Sequence, residues 1–205
     1  VKNPLSALSR WKIFDNLRRS LAPAALTLLL LLGWTVLPSA GFWTASVIGI
    51  LFIPSWCAAI LDLLRKSTDV LLRQHYASAL RSAGGRFARD ALNLACLPYE
   101  AYFSLDAILR TVWRMSVTKK RLLQWNPSSE DYRHDRADIL GACRVMWIAP
   151  LSAIATALLL ALVRPTALSV ASPILVVWLL SPVITWWISR PLVRREAQLT
   201  PEQTL

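Results

Sequence analysis

The sequence predicts an all-α integral membrane protein: four transmembrane helices forming two hairpins, with amphipathic interface helices on the cytoplasmic side. Three observations predict it. Four runs of almost unbroken Leu, Ile, Val, Ala, Trp and Phe occupy residues 21–37, 42–61, 146–163 and 167–188. Between 21 and 61, and again between 146 and 188, Arg164 is the sole charged side chain. The other basic residues gather outside: five in 1–20, fourteen in 62–145 and three in 189–205. At about 1.5 Å per residue such runs cross a hydrocarbon core of roughly 30 Å. One apolar run could be a core helix of a soluble protein. Four runs joined by turns as short as 164–166 exceed what a 205-residue globule can bury.

Residues 9–20 read as an interface helix, with Trp11, Ile13, Phe14, Leu17 and Leu21 on one side and Lys12, Asp15, Asn16 and Arg19 on the other. The first span, 21–37, follows directly. A cleavable signal peptide would also have a basic start and an apolar run, but a second span follows four residues later and Pro38 falls where a small cleavage-site residue belongs. Trp34 and Trp43 bracket that turn, while Trp11, Trp147, Trp186 and Trp187 mark the opposite boundary, the depth at which an indole is most stable. Prolines 23, 54, 150, 173 and 182 lie in or at the ends of spans. Each missing amide donor leaves a carbonyl that neighbouring helices must satisfy, which implies kinked, packed helices.

The segment 62–145 is expected to be cytoplasmic and amphipathic. Thr68 to Ala83 reads as a weak helix ended by Gly84 and Gly85, and Asp90 to Leu97 as an apolar stretch at the surface or slightly re-entrant. Pro98 then starts a helix running to Val117, with Glu100, Asp106, Arg110 and Arg114 on one arc and Ala101, Tyr102, Leu105, Ile108, Leu109, Val112 and Trp113 opposite. It is expected to lie flat on the inner leaflet, Asp106 pairing with Arg110 at i, i+4, and Lys119, Lys120 and Arg121 beyond its end. The spans 146–163 and 167–188 form the second hairpin.

Charge fixes the orientation, because Lys and Arg beside a span are retained inside. Both termini and the central segment are therefore placed in the cytoplasm of a multi-pass membrane protein. The net charge of +11 is accounted for by this topology. It calls for anionic lipid headgroups and not for a nucleic acid. Arg18, Arg19, Arg110, Arg114, Lys119, Lys120 and Arg121 are the candidate headgroup contacts.

Chemistry is scarce. The spans hold no titratable pair for proton coupling or acid–base work, and the hydroxyls of Thr44, Ser46, Ser172, Ser181 and Thr185 are thin material for a transporter path. His134 lies in a mixed run from Glu130 to Asp138 whose basic residues compete for its carboxylates, so a solvated segment is expected there instead of a metal. His75 reads as a surface contact. Cys57, Cys96 and Cys143 form no C-x-x-C pair, and Gly84-Gly85 is no phosphate loop. No catalytic residue, metal or cofactor is expected in this chain.

Three stretches carry a resemblance: Arg10-Trp-Lys-Ile-Phe-Asp-Asn-Leu-Arg-Arg-Ser-Leu21, Leu97-Pro-Tyr-Glu-Ala-Tyr102 and Leu122-Leu-Gln-Trp125. Together they resemble the membrane region of cyclic β-1,2-glucan synthases, over nearly all of the chain. The resemblance implies a large bacterial inner-membrane protein with a cytoplasmic glucosyltransferase module that uses UDP-glucose and a divalent metal. The chain starts at Val1 and reads as an excised piece or short relative. It lacks the paired aspartates and the Gln-x-x-Arg-Trp element of a processive glycosyltransferase, so the resemblance places glucosyl transfer upstream. It assigns glucan attachment to none of Tyr76, Tyr99, Tyr102 and Tyr132.

The expected function is a single membrane module, 1–205, that anchors a glucosyltransferase domain of the same or a neighbouring polypeptide at the inner leaflet and guides its glucan. Trp11, Tyr99, Tyr102 and Trp113 are the candidate interface or glucan-path residues, able to stack on sugar or anchor in lipid. The alternative is a non-catalytic four-span scaffold that recruits a soluble partner through its basic surface.

Overall fold

The computed structural model describes residues 6–65, 72–118 and 139–190, and these are helical throughout apart from short turns. Six α-helices follow in order: α1 (Ala7–Thr35), α2 (Ala40–Leu64), α3 (Leu72–Trp113, continued by a π-helical turn Arg114–Thr118), α4 (Ile139–Val145), α5 (Ile148–Val163) and α6 (Pro165–Ile188). Three of them, α1, α2 and α6, are long and apolar enough to cross a membrane. The expectation of four spans is met only if α4 and α5, bent by 65° across Met146-Trp147, count as one. By itself α5 has 16 residues, about 24 Å of rise, short of a core of roughly 30 Å.

Ser6 caps α1, its hydroxyl accepting from the Ser9 amide at 3.2 Å, and the helix then runs through the interface stretch into the apolar one without a break. The turn 36–39 reverses the chain with Ser39 in the left-handed region, φ 58°. Beyond it α1 and α2 approach closely at Gly33, where a Cβ would come within 2.6 Å of the Trp43 Cβ. Lipid tails are as apolar as leucine, so contact between such helices rests on close packing and hydrogen bonds. Trp34 supplies both: it is fully buried, and its indole donates to Thr44 Oγ1 at 2.8 Å.

The largest departure from the sequence reading is α3. Over Leu72–Trp113 the three pieces expected from sequence are one helix through Gly84, Gly85 and Pro98. Glycine costs about 1 kcal/mol in a helix interior, an amount that tertiary packing readily overrides. Nor is the middle of α3 peripheral. Ala95, Cys96, Leu97, Pro98 and Ala101 are buried, and Leu97 belongs to the core cluster with Leu30, Trp34, Val47 and Trp178. α3 packs on α1, α2, α5 and α6. Arg86 bonds Asp62 of α2 at 2.6 Å, and Phe87 lies against Phe52 and Trp56. Pro98 is tolerated because the carbonyl it orphans, that of Leu94, accepts the Trp178 indole N–H of α6 at 3.0 Å.

The two prolines inside α6 are compensated nearer home. Pro173 and Pro182 orphan the carbonyls of Ser169 and Trp178, and each is met by the serine just before the proline, Ser172 at 3.0 Å and Ser181 at 2.8 Å. At these two span prolines the rescue comes from their own helix and not from a neighbour as expected, and a neighbouring helix supplies the donor at Pro98, outside the expected spans. Thr44, Ser46 and Thr185 likewise donate to carbonyls of their own helices.

α5 packs along α6, and each helix contributes buried small residues, Ala149 and Ala153 on α5 and Ala167 and Ala171 on α6. Between them Arg164 has a structural reason to be there. Its Nη1 donates to the Leu37 carbonyl at 2.9 Å and to that of Trp34 at 3.4 Å, closing the C-terminal end of α1 with a positive charge. Arg164→Ala is expected to cost about 1–2 kcal/mol. Unfolding in mixed detergent micelles checks this; Arg164→Lys, which keeps the charge, recovers part of the loss.

Candidate functional site

α3, α4 and α6 line a partly open cavity of 170 Å³ at the end of α6 that leads into Arg190. α3 brings Cys96, Tyr99 and Glu100 to it, side chains on consecutive turns of one face. α4 and the break after it supply an apolar wall of Ala142, Val145 and Met146, and α6 closes it with Thr185, Trp186 and Ser189. The 65° bend at Met146-Trp147 lays α4 across this end of the bundle. Thr185 Oγ1 lies 2.9 Å from Met146 Sδ, tying α6 to the break. The Arg190 guanidinium covers the Trp186 ring at 3.9 Å from its centroid.

Glu100 is the informative member. The sequence puts it on the water-facing arc with Asp106, Arg110 and Arg114, and the structure instead half-buries it against α4 and α6. Burial raises the Glu100 carboxyl above the ordinary carboxylate range. The Cys96 thiol is pushed up to about 11, chiefly by burial and then by the Glu100 charge, so it is an inert thiol and no nucleophile. Sequence reasoning missed the cavity because α4 and α6 are far from α3 in the chain. The signal within reach was Tyr99-Glu100 immediately after a proline in an apolar stretch.

The sequence-predicted residues fall into separate places. Tyr99 lines the cavity and stacks on Phe103, while Tyr102 meets Trp147 edge-on at 6.1 Å between centroids. Trp11 lies far out on the exposed start of α1 beside Phe14, and Trp113 on the exposed end of α3 with Leu109 and Arg110. Arg18 and Arg19 both bind Asp15, and Arg110 binds Asp106 at 2.7 Å as the i, i+4 spacing suggests. Arg114 is exposed in the π-helical turn. Lys119, Lys120, Arg121, Tyr132 and the run from Glu130 to Asp138 with His134 lie outside the described residues. His75 sits 3.5 Å from the Leu63 carbonyl at the end of α2. Among the described residues no three His, Cys, Asp or Glu side chains converge as metal ligands.

No family model matches the chain. Along its whole length it is similar to cyclic beta-(1,2)-glucan synthase NdvB of Rhizobium meliloti, with 30% identity over 207 aligned residues. The chain spans 7% of that protein. Such a match, with helices long and apolar enough to cross a membrane, supports a membrane region of that synthase family.

Proposed function

We propose, from that end-to-end match to a segment of a glucan synthase, that this chain is the membrane and interface-helix module of a cyclic β-1,2-glucan synthase-like glucosyltransferase. It holds the catalytic domain at the inner leaflet of a bacterial inner membrane and guides the glucan away from it. The observation that carries the reading is the coverage: the match runs the whole length of the 205-residue chain.

Two features of the fold support it. The start of α1 and the end of α3 stand clear of the core, each with exposed aromatic and aliphatic side chains, Trp11, Ile13 and Phe14 on one and Leu109, Val112 and Trp113 on the other. Each also carries exposed arginines, the combination that seats a helix at a headgroup surface. With both termini and the exposed end of α3 on the cytoplasmic side, the two arms form a collar beneath a domain that binds UDP-glucose and its divalent metal.

The test is radiolabelled UDP-glucose incorporation by membranes containing the full-length synthase that carries this segment. Changing Trp11, Tyr102 and Trp113 together to Ala is expected to cut incorporation at least about tenfold, the equivalent of roughly 1.4 kcal/mol, with insertion intact. Full incorporation by correctly inserted triple variant would overturn the guiding role and leave an anchor.

A further inference from the structure

We propose that the cavity between α3, α4 and α6 seats one neutral pyranose ring, a glucosyl unit of the growing glucan. This rests on the glucan-synthase reading and adds a site to it.

Volume sets the first limit. At 170 Å³ the space is smaller than the ~300–1,000 Å³ of pockets for drug-sized ligands, so it takes a single ring and leaves the rest of an oligomer outside. The lining sets the second. Glu100 offers carboxyl oxygens suited to a pair of adjacent hydroxyls, and Ser189 and Thr185 add hydroxyls on the opposite wall. Tyr99 and Trp186 bring aromatic rings to the same space, the surfaces on which the C–H faces of sugars pack.

Charge then selects among ligands with that many polar groups. An anionic group such as a phosphate would meet the Glu100 carboxylate, half-buried and without a basic partner at hydrogen-bond distance among the described residues. A cationic group such as an ethanolamine head would be opposed by the Arg190 guanidinium, which covers the ring of the lining residue Trp186. A neutral polyol meets neither repulsion. It also suits a carboxyl whose burial favours its uncharged form, since both protonation states can hydrogen-bond a hydroxyl. The site lies on α3 one turn from Tyr102, on the helix whose exposed aromatics continue toward Trp113.

The probe is a linear β-1,2-linked glucan oligosaccharide, titrated calorimetrically into the 205-residue chain in phosphatidylglycerol nanodiscs. Saturable binding is expected. Glu100→Leu should weaken it at least about tenfold, the loss of a buried acceptor, whereas Glu100→Gln, which keeps hydrogen bonding without charge, should stay within about threefold. Circular dichroism verifies that both variants remain folded, and the Gln variant decides the matter should the Leu variant not fold. No binding by the parent chain, indifference to Glu100→Leu in a folded variant, or equal damage from Glu100→Gln would overturn the proposal. So would loss of binding when phosphatidylethanolamine replaces phosphatidylglycerol, which would assign the cavity to a lipid headgroup. Incorporation by the Trp11, Tyr102 and Trp113 variant is a separate readout; if it falls while no glucan binds here, the cavity assignment fails and the module reading stands.

Discussion

Trp178→Phe is expected to weaken the helix bundle by about 1–2 kcal/mol, more than its modest change in volume explains. The indole N–H is what matters. Pro98 has no amide hydrogen to give the Leu94 carbonyl, and the Trp178 indole gives one from α6 at 3.0 Å. Phenylalanine keeps most of the packing against Trp34, whose ring lies 5.7 Å away, but leaves that carbonyl with no donor in a dry interior. Trp178→Ala adds a cavity at a fully buried site and should cost about 3–5 kcal/mol. The hydrogen-bond share can be isolated. Pro98→Ala restores an amide to Leu94, so Trp178→Phe in that background should cost about 1 kcal/mol less than in the parent chain. Reversible unfolding of the four proteins in mixed micelles measures this coupling. Additivity within about 0.3 kcal/mol would mean that the carbonyl finds another partner and the indole serves only as bulk.

That pairing also explains what was legible in the sequence. The apolar elements were, because length and freedom from charge suffice to identify them: the runs 21–37, 42–61 and 167–188 became parts of α1, α2 and α6 with shifts of a few residues. The interface stretch 9–20 leads into its span as expected, as one helix. The run 146–163 was right in kind, but its first two residues are the break between α4 and α5, where Pro150 lies near the start of the new helix.

α3 was not legible as one element because its punctuation is locally sound. Gly84-Gly85 and Pro98 are ordinary helix boundaries when only neighbours in sequence are considered. What overrides Pro98 is an indole 80 residues away in the chain, and nothing near Pro98 announces it. Glu100 illustrates the same limit: periodicity correctly groups it with Asp106, Arg110 and Arg114, but cannot tell that α4 and α6 cover the first turn of that arc. One signal was within reach. In Ser172-Pro173 and Ser181-Pro182 the serine follows by three residues the carbonyl that the proline orphans, the spacing at which a hydroxyl can replace the missing amide.

One substitution made at two glycines should act with opposite signs. Gly33 is where α1 and α2 touch: an added methyl would lie 2.6 Å from the Trp43 Cβ and 3.1 Å from its Cγ. Those atoms are the root of the side chain, held by the α2 backbone and by the Trp43 indole bond to the Pro38 carbonyl at 3.1 Å, so they move only if the helices separate. Overpacking of this kind costs about 1–3 kcal/mol, against roughly 1 kcal/mol gained in helix propensity, so Gly33→Ala should be a net loss of up to about 2 kcal/mol. Gly33→Leu has no such offset in space and should exceed it, disrupting the adjoining Trp34–Thr44 hydrogen bond as well. Gly85 sits inside α3 with nothing within 4 Å of an added Cβ. There the propensity gain stands alone, and Gly85→Ala should stabilise by about 1 kcal/mol. The comparison, by unfolding in mixed micelles, tests both the α1–α2 contact and the continuity of α3. A neutral Gly33→Ala would mean that the two helices part more easily than their contact implies. A destabilising Gly85→Ala would mean that α3 needs glycine at that point, as a helix end and not an interior.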